Sequence, residues 1–528
     1  MEYSERAVSN RALVILTGVL VALVAVLFRI QSLHGVERFD EFYHLLAAQG
    51  WLDTGKPTIL GGQYTRAELY TGAVMELFRL TGSETVATGR ILSVIGGALL
   101  PPLLFYWIRA RAGWVAGLTV AALAIFWPHG IEEAQTLRYY TWHVLFVSIS
   151  AIAIFEMMEG SGTAGRLGWG MLALLSCVAA SYLQITTGIA FVAILLWVCF
   201  VHVLPWMWAQ KLRWPLIVGA LVIGVAVIAA AWALGILDEL WRQYRWAPGW
   251  GEQNQNNVTF FHKLLRDYYP ILWGLFPFAA IFSFGWRPRL ASYVIVIFTV
   301  VLVGQSFGGM KAARYLSYGM PFFFITWALA FAMLVNKLRE PVLAALRPLD
   351  PSKRGWLAGI AVTVAALFAL SVNPFFERSV DELRGQTFLS WPVVDWHPLA
   401  EVVGEWADVP YRVTTHELHT AAMLGDYDVL YSASRITELF PPDEFGIDSR
   451  TGRSVIAKPE TLAAILACKP EGLFMTEERV WDKDLSTELM PVFDNSGRRI
   501  EIRNKKGLLV VHWSGEGSSN TACATMPD

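Results

Sequence analysis

Apolar runs of about 20 residues recur along this chain, and that repetition constrains its fold more than any other feature. A helix of that length crosses a hydrocarbon core of roughly 30 Å. The runs lie at 12–30, 89–108, 114–128, 139–158, 168–184, 187–208, 214–236, 268–285, 290–307, 315–335 and 355–373. They predict a polytopic α-helical membrane protein with about eleven spans. Composition agrees, with 55% hydrophobic and only 16% charged residues, where soluble domains carry about 25% charge. The same figures exclude a disordered chain and a small disulfide-stapled fold. A net charge of −2 offers nothing to nucleic acid. The first run lacks the short apolar core and small-residue cleavage site of a signal peptide, so it reads as a retained helix.

Lys and Arg in the short connections set the expected orientation. Arg109, Arg111, Arg166, Lys211, Arg213, Arg287, Arg289 and the basic 337–354 stretch fall on the side of the N-terminus, which is therefore cytoplasmic. Segments 31–88, 129–138, 237–267 and 308–314 then face outward. An odd number of spans carries the tail outward as well. Short loops and the lack of processing signals lean towards a bacterial inner membrane.

Composition changes near Asn373, giving a membrane domain of 1–373 and an extracytoplasmic domain of 374–528. In the tail, strand-like pieces at 411–415, 429–431, 472–476 and 508–513 alternate with helix-like ones at 399–407 and 459–468. That alternation predicts a small α/β domain. It carries no glycine-rich phosphate fingerprint, so no nucleotide is assigned. Cys177 and Cys199 fall in spans, whereas Cys468 and Cys523 share the tail, where a disulfide is left open.

Groups fit for chemistry gather in the outward segments. Directly after the first span comes Arg38-Phe-Asp40-Glu41-Phe-Tyr43-His44, opening a stretch with helical apolar spacing that suits a helix on the membrane surface. Asp40 either caps this helix or takes a proton from an acceptor hydroxyl; both readings stay open. The same loop holds Tyr64-Thr-Arg66 and Tyr70. The second outward segment holds Glu132, Glu133, Arg138 and Tyr139, and the last holds Lys311, Arg314 and Tyr315 ahead of Pro321. Arginine beside tyrosine in three outward segments suits a phosphate held by bidentate contacts. Lys311 and Arg314 equally suit anionic headgroups. His34, His44 and His129 face the same side but lack the paired spacing of a metal site, so a divalent metal is not favoured.

Over residues 10–375 this pattern resembles the membrane glycosyltransferases of the GT-C fold, the broad group that includes protein O-mannosyltransferases and lipid A aminoarabinose transferases (glycosyltransferase family 39-like). The resemblance implies inverting transfer of a sugar from a polyprenyl-phosphate donor to a hydroxyl on a glycan, lipid or protein at the outer face. It makes Asp40 the general base, Glu41 a neighbour orienting the helix or the sugar, and Glu133, with Glu132 as the alternative, a second acid. Arg66, Arg138, Lys311 and Arg314 become contacts to the donor phosphate, and Tyr64, Tyr139 and Tyr315 substrate contacts. Membrane lipids are the remaining expected partners.

Two rival functions remain. A transporter places ionisable groups near the midplane and shows internal repeats, whereas charges here are few within spans, Glu156 at a span end excepted. A lipid-linked glycan polymerase or ligase concentrates basic groups in a large late loop, and 237–267 with Arg242 and Arg245 gives that reading some support.

Overall fold

The computed structural model describes residues 2–160, 162–211, 213–247, 252–345, 373–384, 393–432 and 445–516, with scattered helical residues between 357 and 369. Most of the expected span 355–373, and Cys523, lie outside the described residues. Backbone packing divides the chain into two units. The first comprises Met1–Ser32, Ile91–Gln135 and Tyr139–Phe388, and the second Leu33–Arg90, Thr136–Arg138 and Leu389–Asp528.

The first unit is helical. Among the described residues, eight helices are long and apolar enough to cross a membrane: Arg11–Ile30, Val86–Ile125, Tyr140–Glu159, Thr163–Leu183, Thr187–Ala209, Arg213–Ala233, Pro288–Phe307 and Ser317–Leu338. The chain is a polytopic membrane protein. The difference from eleven arises at three places: Val86–Ile125 holds two of the expected runs, 355–373 lies mostly outside the described residues, and 268–285 is cut. Runs 89–108 and 114–128 are two helices within Val86–Ile125, separated as expected by a break at Gly113 (φ 87, ψ 179), a conformation open to glycine, across which Phe105 meets Trp114 at 5.8 Å. Run 268–285 is cut into Pro270–Gly274 and Phe276–Trp286. Pro270 and Pro277 each sit in a first helical turn, where proline's missing N–H costs nothing.

Aromatic packing holds this unit, with Phe276 stacked on Phe323 at 5.2 Å and Trp197 edge-on to Tyr293 at 4.7 Å. Two charged groups within it are held by neighbours. Arg29 is buried and donates to the Ala25 and Ala124 carbonyls at 3.1 and 3.0 Å. Glu156 accepts from Trp107 Nε1 at 2.9 Å and pairs with Arg111.

The second unit is built on a seven-stranded mixed sheet. Its strands are β3 (Arg412–Thr414), β4 (Val429–Tyr431), β5 (Gly446–Ile447), β6 (Ser454–Ile456), β7 (Glu471–Glu477), β8 (Arg499–Lys505) and β9 (Leu508–Ser514). Their order is β5-β6-β4-β3-β7-β9-β8. β6, β4, β3 and β7 run parallel, which requires crossover connections. Helices Glu417–Leu424 and Pro459–Cys468 supply two of them. The edge hairpin β8–β9 is antiparallel and closes at Lys505 opposite Leu508. Parallel strands are expected to be apolar on both faces, and β4 is buried throughout. This is the expected C-terminal α/β domain. Cys468 is disulfide-bonded.

Segment 33–90 packs as part of this second unit. It contains helix Phe39–Thr54, the short hairpin of β1 (Thr58–Ile59) and β2 (Gly62–Gln63), and helix Glu68–Thr81. The β1–β2 turn meets the sheet domain backbone to backbone, Gly61 N–H donating to the Thr451 carbonyl at 2.9 Å.

Candidate functional site

In the second unit the two adjacent acids of helix Phe39–Thr54 are treated in opposite ways. Glu41, at the third helical position, is fully buried. Its Oε2 accepts from the Arg38 N–H at 2.9 Å, the reach-back half of a capping box. Arg90 grips it from both sides, Nε to Oε1 at 2.8 Å and Nη2 to Oε2 at 2.6 Å. The Leu137 N–H donates to Oε1 at 2.5 Å. Four donors consume this carboxylate. Glu41 is thus an acid that caps this helix.

Asp40 remains 38% exposed, with its Oδ2 at 3.7 Å from Arg138 Nη1. Arg138 is almost wholly buried and donates to the Asp40 carbonyl at 2.9 Å. One guanidinium thus fixes the backbone of the acid and sits beside its side chain. Arg90 escaped the sequence reading because it lies inside an apolar run. The available signal was the cost of an arginine there, which demands a buried partner.

Arg66 is exposed and stands just before Ala67, a non-glycine residue in the left-handed region (φ 51, ψ 46) that begins helix Glu68–Thr81. Such a conformation costs of order 1 kcal/mol or more and recurs at functional turns. Tyr64 is buried, stacked on Tyr43 at 5.0 Å and 10°, and Tyr70 meets His44 edge-on at 5.0 Å. His44 shares a 2.9 Å hydrogen bond with Thr71 Oγ1. Burial first, then the Arg138 and Arg66 cations, push its pKa well below the usual imidazole value against the pull of Asp40. His44 is therefore neutral at physiological pH.

The first unit holds the remaining expected residues. Glu132 and Glu133 lie half-buried on helix Pro128–Ala134, and Ser317 Oγ stands 3.5 Å from Glu133 Oε1. Glu132 acts electrostatically on His129, whose pKa burial and Arg378 hold down. Arg314 lies over the rings of Tyr140 and Tyr315 at 5.7 and 5.6 Å. Tyr139 is fully buried, its hydroxyl 3.4 Å from Gln184 Oε1, and Tyr315 is buried as well.

Lys311 has a different task from the one expected of it. Its ammonium donates to the Gln305, Ser306 and Gly308 carbonyls, the first two at 3.0 and 2.7 Å, and lies over the Phe261 ring. Those carbonyls end helix Pro288–Phe307, so three hydrogens close a helix C-terminus. Burial and the Arg245 charge lower its pKa to about 8. Among the described residues, no group of three or more His, Cys, Asp or Glu is arranged to hold a metal ion.

No protein-family model matches the chain, and no curated protein matches it in sequence. Solved structures do. ArnT from Cupriavidus metallidurans bound to undecaprenyl phosphate superposes with a TM-score of 0.60 at 13% identity, over 96% of this chain and 98% of that one. Its apo state gives 0.58 at 14% identity over the same shares. The archaeal oligosaccharyltransferase AglB from Archaeoglobus fulgidus, in complex with an inhibitory peptide and a dolichol-phosphate, gives 0.59 at 10% identity, over 96% of this chain and 74% of that one. The chain has the GT-C fold. The likeness extends over residues of both units.

Proposed function

We propose that this GT-C protein is a glycosyltransferase moving a sugar from a polyprenyl-phosphate donor to a hydroxyl acceptor at the outer face of the membrane, with inversion and with Asp40 as general base. The observation that carries the reading is the division of labour between the two adjacent acids. Glu41 is spent on four donors, whereas Asp40 keeps an accessible carboxylate beside a buried arginine. The fold adds support, since ArnT and AglB structures of this architecture hold undecaprenyl phosphate and dolichol-phosphate.

In this reaction the acceptor oxygen attacks the anomeric carbon as the bond to the donor phosphate breaks. The hydroxyl proton passes to Asp40, and polyprenyl phosphate departs carrying the negative charge. Arg66 and Arg138 stabilise charge developing on that leaving group. The sequence resemblance gives Arg314 the same role and makes Glu133 a second acid. Lys311 drops out of the phosphate contacts because its hydrogens serve carbonyls. Glu41 acts by fixing the start of the helix that presents Asp40.

The test is turnover of radiolabelled undecaprenyl-phosphate sugars by the purified protein in detergent, with a panel of hydroxyl acceptors. Asp40→Asn keeps size and hydrogen bonding but removes the base. It is expected to lower kcat by about 10²–10⁴-fold. Equal turnover by both proteins rejects Asp40 as the base.

A further inference from the structure

Tyr43 belongs to the same short motif as Asp40, yet the reaction above leaves it no task. Its environment supplies one. The Tyr43 hydroxyl accepts a hydrogen bond from Arg450, a residue of the sheet domain 407 positions away, whose guanidinium also lies over the ring at 5.3 Å. Arg450 is itself held rigidly. Asp448, with no exposed surface, takes it bidentately, Nε to Oδ1 at 2.9 Å and Nη2 to Oδ2 at 2.7 Å, and Glu417 stands 3.6 Å away. Asp448 also shapes the loop behind it, its Oδ1 accepting from the Arg450 N–H at 3.0 Å and its carbonyl from Gly452 at 2.7 Å. A bidentate carboxylate fixes both position and plane of a guanidinium.

The same face of the catalytic helix meets the sheet domain at more points. His419, on helix Glu417–Leu424, packs its ring against Phe39 at 5.6 Å and Phe42 at 4.9 Å. The β1–β2 turn hydrogen-bonds Thr451, and Tyr64 just beyond it stacks on Tyr43. Phe39, Phe42 and Tyr43 flank Asp40 within one turn, and residues three and four apart share a helix face. A displacement of Tyr43 is therefore transmitted to Asp40. A shift of about 1 Å at a reacting group costs on the order of 10²-fold in rate.

We propose that Arg450 is a positioning residue for the reaction assigned to Asp40, and that the C-terminal sheet domain is the platform on which the catalytic helix is set. The inference rests on Asp40 being the base only for its effect on rate. Its structural half stands alone: the Asp448–Arg450–Tyr43 chain holds residues 39–48 in place.

The experiment uses the full chain in detergent with Arg450→Met, Tyr43→Phe and the double variant. Hydrogen exchange at residues 39–48 reads the platform without any activity. Turnover of undecaprenyl-phosphate sugars reads the rate, and undecaprenyl phosphate itself is the binding probe. Arg450→Met is expected to speed exchange at 39–48 at least tenfold while helix Pro288–Phe307 exchanges as before. It should lower kcat at least tenfold, with KM and undecaprenyl phosphate binding within twofold. Tyr43→Phe, which removes one hydroxyl, should show a smaller effect in the same direction, and the double variant should be no worse than Arg450→Met alone. Unchanged exchange at 39–48 overturns the proposal, as does a raised KM at constant kcat, which makes Arg450 a substrate contact instead. Should Arg450→Met fail to fold, Tyr43→Phe decides by the same readouts. If Asp40→Asn keeps full turnover, the base assignment falls, while the exchange result still decides whether the platform exists.

Discussion

Arg90 and Glu41 form a bidentate pair at 2.8 and 2.6 Å, 49 positions apart in the chain and both shielded from water. Arg90 spends its remaining donors on the Leu33, Gly35 and Val36 carbonyls at 2.8, 2.7 and 3.2 Å. One side chain thus gathers the segment that leads into the helix and the acid that caps it. Breaking such a pair from one side strands a buried charge. Arg90→Met is expected to lose about 3–5 kcal/mol of stability, and adding Glu41→Gln should restore part of it by removing the stranded charge. Asp40→Asn, at a half-exposed site, should cost under about 1 kcal/mol. Chemical unfolding in detergent followed by tryptophan fluorescence checks all three. Equal losses for Arg90→Met and Asp40→Asn would contradict the division between the two acids.

Lys311 and Arg314 lie three positions apart and are expected to separate cleanly. Lys311→Met removes three charge-assisted bonds from a helix C-terminus, each worth about 1.5–3 kcal/mol before relaxation, so stability should fall while donor KM stays within twofold. Arg314→Gln keeps the cap and should raise donor KM several-fold with little loss of stability. Paired melting curves and donor titrations decide. A donor KM that rises with Lys311→Met would return that residue to the phosphate.

Much of this architecture was legible in the chain, because long apolar runs and alternating short strands report local physics. The edges of β4 and of helix Pro459–Cys468 coincide with the expected pieces, and β7 and β9 extend theirs by a residue or two. β8 was missed because its sequence, Arg-Ile-Glu-Ile-Arg-Asn-Lys, is that of a charged edge strand and reads as loop. Pro270 and Pro277 mattered for the opposite reason: single residues cut an apolar run into short helices, and run length passes over them. In the site, Asp40, Glu41 and Arg138 were legible as a cluster of types. Which acid caps and which stays accessible was not, since Arg90 and the Leu137 N–H reach Glu41 only through tertiary packing. Arg450 gave no signal at all, for its partner Tyr43 is separated from it by the whole membrane domain.

His419 gives the sheet domain a defined acid sensitivity. Buried against Trp396 at 5.0 Å and beside His416, its pKa falls to about 3, burial being the larger cause and His416 the next, with Glu477 opposing. A folded pKa below the unfolded value near 6.5 means that the unfolded chain binds the proton first. The stability is complete above about pH 6.5 and is lost as pH falls towards 3. His44 titrates in the same direction. Glu477, lowered to about 2 despite its burial by its bonds to His416 and Arg479, loses its contribution only below about pH 4.5. The window from pH 7 to 5 therefore isolates the histidines. His419→Leu should flatten, without abolishing, the fall in unfolding midpoint across that window, and an unchanged slope would remove His419 from the account.

Gly62 is where the β1–β2 turn and the Arg450 loop come closest, and its neighbour provides the control. A Cβ on Gly62 would stand 2.4 and 2.5 Å from the Arg450 carbonyl carbon and oxygen and 2.5 Å from the Thr451 nitrogen. These are backbone atoms, so no rotamer change relieves the overlap and the hairpin must move. At Gly61 the nearest atoms are 3.7 and 3.8 Å away, ordinary contact distance, and its N–H bond to Thr451 survives substitution. Gly62→Ala is expected to cost about 1–3 kcal/mol, the usual range for overpacking, and to speed hydrogen exchange at 58–64. Because Tyr64 follows the turn and stacks on Tyr43, the effect should extend to residues 39–48. Gly61→Ala should leave exchange at both segments within twofold of wild type. Identical behaviour of the two variants would show that the hairpin does not bear on helix Phe39–Thr54 through this contact.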